Sequence, residues 1–196
     1  MLLKIVQVGE PVLRGTARIL TAEEIRSREI QKLIGDMRET MYKAPGVGLA
    51  APQVGHSLQL AVIEDKPEYT KDADNGFLRE QERQPVPFHA IINPKITLLE
   101  GAAVDFFEGC LSLSGYTAIV PRARKVRVDC LDAKGRPKVI EASGWYARIL
   151  QHEIDHLGGT IYIDRMLSRS FMGVENYKEH WKEKRMNEVI ALIGGK

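Results

Sequence analysis

Residues 125–159 read Lys125-Val-Arg-Val-Asp-Cys-Leu-Asp-Ala-Lys-Gly-Arg-Pro-Lys-Val-Ile-Glu-Ala-Ser-Gly-Trp-Tyr-Ala-Arg-Ile-Leu-Gln-His-Glu-Ile-Asp-His-Leu-Gly-Gly159. The first seven alternate, with Val126, Val128 and Cys130 on one face, which is the signature of a half-buried strand. Lys134-Gly-Arg-Pro137 reads as the turn of a hairpin, and Lys138–Glu141 as its second arm. Ser143 is placed to cap a helix from about Gly144 to Leu157, and Gly158-Gly159 to stop it. Strand, turn, strand and helix in direct succession lack the βαβ rhythm of a parallel sheet.

The upstream chain supplies further short strands: Leu60–Ile63, Ala90–Ile92, Lys95–Leu99, Ala103–Phe107 and Ala118–Val120. Thr21-Ala-Glu-Glu24 has the spacing of a capping box. Ile30, Leu33, Ile34, Met37 and Met41 continue from it at helical intervals, so one helix is expected to run to Ala44, before Pro45 and Gly46. Glu64–Pro87 is a polar surface excursion that holds Asp72, Asp74, Asn75, Gly76 and three prolines. A last helix is expected from about Glu175 to Ile193. The expected fold is α+β: short antiparallel strands around a central metal-binding helix, with helices at both ends.

The 196 residues suggest one domain, 1–196, with about 170–196 as a helical extension. Hydrophobic residues at 44% and charged residues at 28% are ordinary globular usage, which argues against disorder and disulfide-dense scaffolds. A net charge of +2 gives no general reason to expect nucleic-acid or membrane binding. Two cysteines, Cys110 and Cys130, are too few for a stapled secreted domain, so a reducing compartment is expected. No apolar run approaches the roughly 20 residues that span a bilayer. The start, with Glu10 and Pro11 soon after an apolar hexapeptide, does not read as a signal peptide.

The chemistry concentrates in Gln151-His-Glu-Ile-Asp-His156, a His-Glu-x-x-His motif. Residues i and i+4 share a helix face, so His152 and His156 can reach one metal ion. Glu153 stands about 100° round the helix from His152, where a carboxylate approaches metal-bound water without ligating the metal. The bland alternative is a solvated surface helix, but Trp145, Tyr146, Ile149, Leu150, Ile154 and Leu157 mark this one as largely buried. A third ligand is not found in the usual downstream position. Cys110, in Glu108-Gly-Cys-Leu-Ser-Leu113, is the upstream candidate, because a thiolate is a strong ligand for borderline metals. A lone cysteine is also often a small buried hydrophobe. Gly46-Val-Gly-Leu-Ala-Ala-Pro-Gln-Val-Gly55 leaves room for close backbone approach by a ligand, or is simply the loop after a helix.

Together, Gly46-Val-Gly-Leu-Ala-Ala-Pro-Gln53, Glu108-Gly-Cys-Leu-Ser112 and Gln151-His-Glu-Ile-Asp-His156 resemble the three motifs of the peptide deformylases, in order and at compatible separations. The resemblance covers about Ile5 to Met166. Ser114–Arg122, Ala142-Ser-Gly-Trp145 and the Glu64–Pro87 excursion resemble the branch that includes organellar enzymes. It implies a metal-dependent hydrolase of N-terminal methionine processing, which removes the formyl group from formyl-methionine on newly translated chains. Cys110, His152 and His156 would hold one divalent ion, natively ferrous iron, with zinc, nickel or cobalt as substitutes. Glu153 would take a proton from the metal-bound water, and the Gln53 amide and Leu111 N–H would meet the oxyanion.

Ile149 and Trp145 precede His152 by three and seven residues and so share its side of the helix. With Val47 and Leu111 they would line the methionine pocket. Gly46, Gly48 and Gly115 would offer backbone groups to an extended peptide. The implied partner is an N-formyl-methionyl nascent polypeptide, with the ribosome near its exit tunnel and a second copy of the chain as further candidates. No specific nucleic acid and no membrane are expected. The implied location is the bacterial cytoplasm or, for the mature form of an organellar enzyme, an organelle. Two rival readings are an endopeptidase with the same metal chemistry, against which an upstream cysteine ligand speaks, and a metal-stabilised binding protein, which would need a fourth ligand.

Overall fold

The computed structural model describes residues 1–71, 75–99 and 101–193. Asp72 and Asp74 of the excursion, and the last three residues of the C-terminal extension, lie outside the described residues. Five strands form an antiparallel sheet in the order β1 (Gly48–Ala50), β2 (Leu60–Asp65), β3 (Val86–Leu98), β6 (Lys125–Leu131) and β7 (Pro137–Ser143). A second sheet contains β4 (Ala103–Cys110), β5 (Leu113–Ala123) and β8 (Met172–Gly173).

The helices α2 (Arg28–Lys43) and α4 (Gly144–Leu157) cover opposite faces of the five-stranded sheet. Leu60, Val62, Ala90 and Ile92 pack with Ile30, Leu33, Ile34, Met37 and Met41 on the α2 side. Ala61, Ile63 and Ile91 point the other way, to Ala147, Ile149, Leu150 and Leu157 of α4. Strands β2 and β3 are thus buried on both faces, which is why Leu60–Ile63 is continuously apolar. Strand β6 buries only Val126, Val128 and Cys130, against α4, and it alternates accordingly. Each fully buried aliphatic side chain here contributes roughly 1.5–3 kcal/mol.

Several elements differ from expectation. The N-terminal helix breaks at Ser27, whose extended backbone (φ −63, ψ 151) ends α1 (Ala22–Arg26) and whose hydroxyl accepts from Ile30 N to cap α2. The capping box of Thr21 and Glu24 is formed as read. Ala90–Ile92 and Lys95–Leu99 are one strand, not two. Asn93 bridges them at φ +50, its side chain exchanging hydrogen bonds with the Leu20 backbone at 2.9 and 2.8 Å. Ser143 precedes α4 with extended backbone but makes no side-chain cap. The expected last helix splits into α5 (Val174–His180) and α6 (Met186–Ile193), separated by a turn over 181–185. Within the excursion, Pro67–Thr70 forms a 3₁₀ turn and Asn75–Glu80 the helix α3.

Candidate metal centre

Helix α4 presents His152 and His156 one turn apart, with ring centroids 5.0 Å from each other. A register shift between Gly109 and Cys110 ends β4 and turns Cys110 toward them. One donor atom from each of Cys110, His152 and His156 lies within 4.8 Å of the others. Cys110 Sγ is 3.3 Å from His156 Nε2. His152 Nδ1 donates to Glu108 Oε2 at 3.0 Å, which fixes the ring and leaves its other nitrogen for a metal. A thiolate and two imidazoles converging from a strand end and a helix suit a borderline divalent ion.

Glu108 is the anchor of this centre. It is buried, and it accepts from Arg122 Nε at 2.9 Å, Arg122 Nη2 at 3.0 Å and Arg148 Nη1 at 2.7 Å. Burial alone would push its carboxyl up, but His152 and Arg122 hold it far below the ordinary range. His152 is likewise opposed by burial, yet Cys110 and Glu108 drive its pKa well above 6.5. Burial and the neighbouring His152 drive His156 the other way. Burial also pushes the Glu153 carboxyl up to about 7, and its Oε2 is enclosed without a hydrogen-bond partner.

Gln53 sits in the 3₁₀ turn Ala51–Val54 that follows β1. Its Oε1 accepts from Ala50 N at 2.8 Å. That orients Nε2 toward Ser112 Oγ at 3.3 Å and Cys110 Sγ at 3.5 Å. The residues Gly46, Val47, Gly48, Gln53, Cys110, Leu111, Gly115, Trp145, Ile149, His152 and Glu153 all line one cavity of about 580 Å³. His156 is fully buried behind it.

The space at Gly48 also accommodates a side chain of this protein. A Cβ there would lie 2.6 Å from Glu153 Cδ, so the glycine makes room for the carboxylate. Gly48→Ala is therefore expected to displace Glu153 and lower kcat by about 10²-fold, the cost of a misplacement of about 1 Å. Metal content should stay normal, and wild-type kcat in this variant would show that the Glu153 position is immaterial.

Four contributors carried no assigned role in the sequence. Glu108 and Arg122 fell inside or beside quoted motifs, so their charge was the only available signal. Arg148 also lines the cavity and donates to Val120 O and Val104 O, at 2.7 and 2.6 Å. Gln7 gave no signal: its side chain donates to Leu111 O at 3.0 Å and accepts from Ser114 N at 3.4 Å, pinning the loop after Cys110.

The sequence profile described as polypeptide deformylase matches residues 2–171. The chain belongs to this family. Deformylases are metal-dependent enzymes that remove the formyl group from N-formyl-methionine, and Cys110, His152 and His156 form a cluster fit for such an ion. The chain is 48% identical over 172 residues to the chloroplastic peptide deformylase 1A of Solanum lycopersicum, covering 88% of this chain and 62% of that one. It spans only 62–64% of the length of the plant relatives it matches. A Met-Ala-Ser-bound peptide deformylase from Acinetobacter baumannii superposes with a TM-score of 0.75 at 30% identity, covering 85% of this chain and 99% of that one. The Synechococcus elongatus deformylase in complex with actinonin superposes at 0.70 with 38% identity, over 84% and 78% of the two chains. The mixed helix-and-strand architecture with antiparallel sheets described above matches these deformylase structures. No helix among the described residues is long and apolar enough to cross a membrane.

Proposed function

We propose that residues 1–196 act as one catalytic domain that hydrolyses the formyl amide of N-formyl-methionyl polypeptides. The observation that carries this reading is the convergence of Cys110, His152 and His156 at a cavity lined by Cys110, His152, Glu153 and Gln53, with His156 buried behind its wall. A divalent ion bound there supplies Lewis acidity and lowers the pKa of its water; we take ferrous iron as the native ion and zinc, nickel or cobalt as substitutes.

The chain's own residues do the rest. Glu153, buried with a free carboxylate oxygen, removes the proton from the attacking water and later returns it to the leaving amine. Gln53 Nε2 and the Leu111 N–H donate to the oxyanion as it develops. Cys110 is a ligand and not a nucleophile, so no covalent intermediate is required. Val47, Leu111, Trp145 and Ile149 receive the methionine side chain, while Gly46, Gly48 and Gly115 pair with the substrate backbone as an added strand. The partner is the formylated end of a nascent polypeptide, met near the ribosomal exit tunnel, and a homodimer is the assembly we propose. A bacterial cytoplasm or an organelle is the proposed setting, in keeping with the chloroplastic and cyanobacterial relatives.

Incubation of the metal-loaded protein with formyl-Met peptides and with an internal-amide substrate tests the reaction. Formate is expected from the former and no cleavage from the latter; cleavage of the internal amide would favour an endopeptidase. Equal turnover of formyl-Met and formyl-Asp peptides would refute the apolar pocket, since a charge buried there is left unpaired. Gln53→Leu is expected to lower kcat by about 10²–10³, the usual loss for one oxyanion donor, at unchanged metal content. A loss confined to KM would show that Gln53 binds only the ground state.

A further inference from the structure

The segment between Glu64 and Pro87 takes no part in the chemistry above, yet it is fastened to the first cavity-lining residue of α4. Trp145 donates its backbone N–H to Gln81 O at 2.9 Å. Gly144, at φ +57, forms a notch for this contact: a Cβ there would lie 2.6 Å from Gln81 O. Glu82 enters the notch at φ +49, a conformation uncommon outside glycine, and its carboxylate pairs with Arg124.

Arg83 then reaches the indole itself. Its guanidinium forks onto Asp65, Nε to Oδ2 at 2.8 Å and Nη2 to Oδ1 at 2.9 Å. Asp65 is 1% exposed, so this fork is sheltered from water and its plane is fixed. The guanidinium carbon lies 5.1 Å from the centroid of the Trp145 ring, within cation–π range. Trp145 Nε1 is buried without a hydrogen-bond partner, so no polar contact at that atom sets the ring's angle. Its orientation rests on packing: the apolar cluster beneath α4, and around the ring Arg83, Arg148 at 6.0 Å and Phe106 at 6.4 Å.

We propose that Arg83, held by Asp65, is a positioning residue for substrate selection, because it fixes the Trp145 indole as a wall of the pocket for the methionine side chain. The proposal rests on the deformylase reading and adds to it a residue from a segment outside the three motifs. A merely structural ion pair would affect all substrates alike. A positioning role affects the substrate whose side chain reaches the indole.

The experiment compares formyl-Met and formyl-Ala peptides with the wild type and with Arg83→Ala. The expected result is a rise in KM for the formyl-Met peptide of about tenfold, the scale of one sheltered cation–π contact. kcat and metal content should stay near wild type, and the preference for Met over Ala should fall by about the same factor. In a Trp181→Phe background, Arg83→Ala should also shift the Trp145 emission, a readout independent of turnover. An unchanged Met-to-Ala preference, or an equal loss for both peptides, would overturn the proposal. If Arg83→Ala does not fold, Arg83→Lys keeps the cation and loses the fork. It should lower the preference by a smaller factor, and no change there would equally overturn the proposal. If the wild type releases no formate from either peptide, the deformylase reading fails, whereas the emission shift still decides whether Arg83 holds Trp145.

Discussion

Glu153→Gln is expected to give a folded, metal-bearing protein whose kcat is lower by about 10⁴ or more. The substitution preserves size and hydrogen-bonding capacity but removes the only group we assign to proton transfer. The enclosed, unpartnered Oε2 and the room that Gly48 provides mean that the carboxylate is held in place for little but chemistry. General acid–base catalysis is commonly worth about 10²–10⁴, and here one residue serves both the deprotonation of water and the protonation of the amine, which places the loss at the top of that range. Folding should not suffer, since a buried charge is more costly than a buried amide. Formate release alongside elemental analysis checks both halves. Retention of more than about a tenth of the activity would remove Glu153 from the role of base.

Cys110→Ala should lose its metal, and with it all turnover. Two imidazoles one helical turn apart remain, but a catalytic site of this kind needs about three protein ligands to hold its ion through dialysis. Cys110 is also the only one of the three contributed from outside α4, so its loss cannot be covered by the same helix. Cys110→Asp restores an anionic donor and should recover part of the metal content. Cys130→Ala is the internal comparison: Cys130 is buried in β6 with Val126 and Val128, and its removal should leave the metal untouched. Full metal content in dialysed Cys110→Ala would overturn the three-ligand assignment.

What could be read from the sequence follows the range of each interaction. The histidine pair was legible because both residues lie on one helix. The β6–β7 hairpin was legible because one of its faces meets water and imposes alternation. The approach of Cys110 to His156 spans 46 residues; the sequence alone offered Cys110 as a candidate ligand beside its reading as a small buried hydrophobe, and the resemblance chose between them. The break at Ser27 was hidden because the apolar spacing continues past it, and the capping serine is the only local sign. Asn93-Pro94 read as a gap between strands, since the contact that carries β3 through it comes from Leu20, 73 residues away. Strand β8 has two residues, too few for any periodicity. The role of Glu108 depends on partners 14, 40 and 44 residues away, of which only His152 is marked by local pattern.

That convergence on Glu108 also dictates an order of events in the making of the protein. The carboxylate on β4 is neutralised by Arg122 of β5 and by Arg148 and His152 of α4, and Asp155 extends the chain of charges from Arg122 to Arg165. Until the β4–β5 hairpin docks on α4, Glu108 has only Arg122 of its own hairpin as counter-charge, it lacks Arg148 and His152, and Cys110 is far from either histidine. A half-folded chain therefore offers no preformed nest for an ion, and metal capture belongs to the last stage of maturation. Once captured, the ion binds the native state alone and so acts as a thermodynamic lock, lowering the population of opened molecules in proportion to its free concentration.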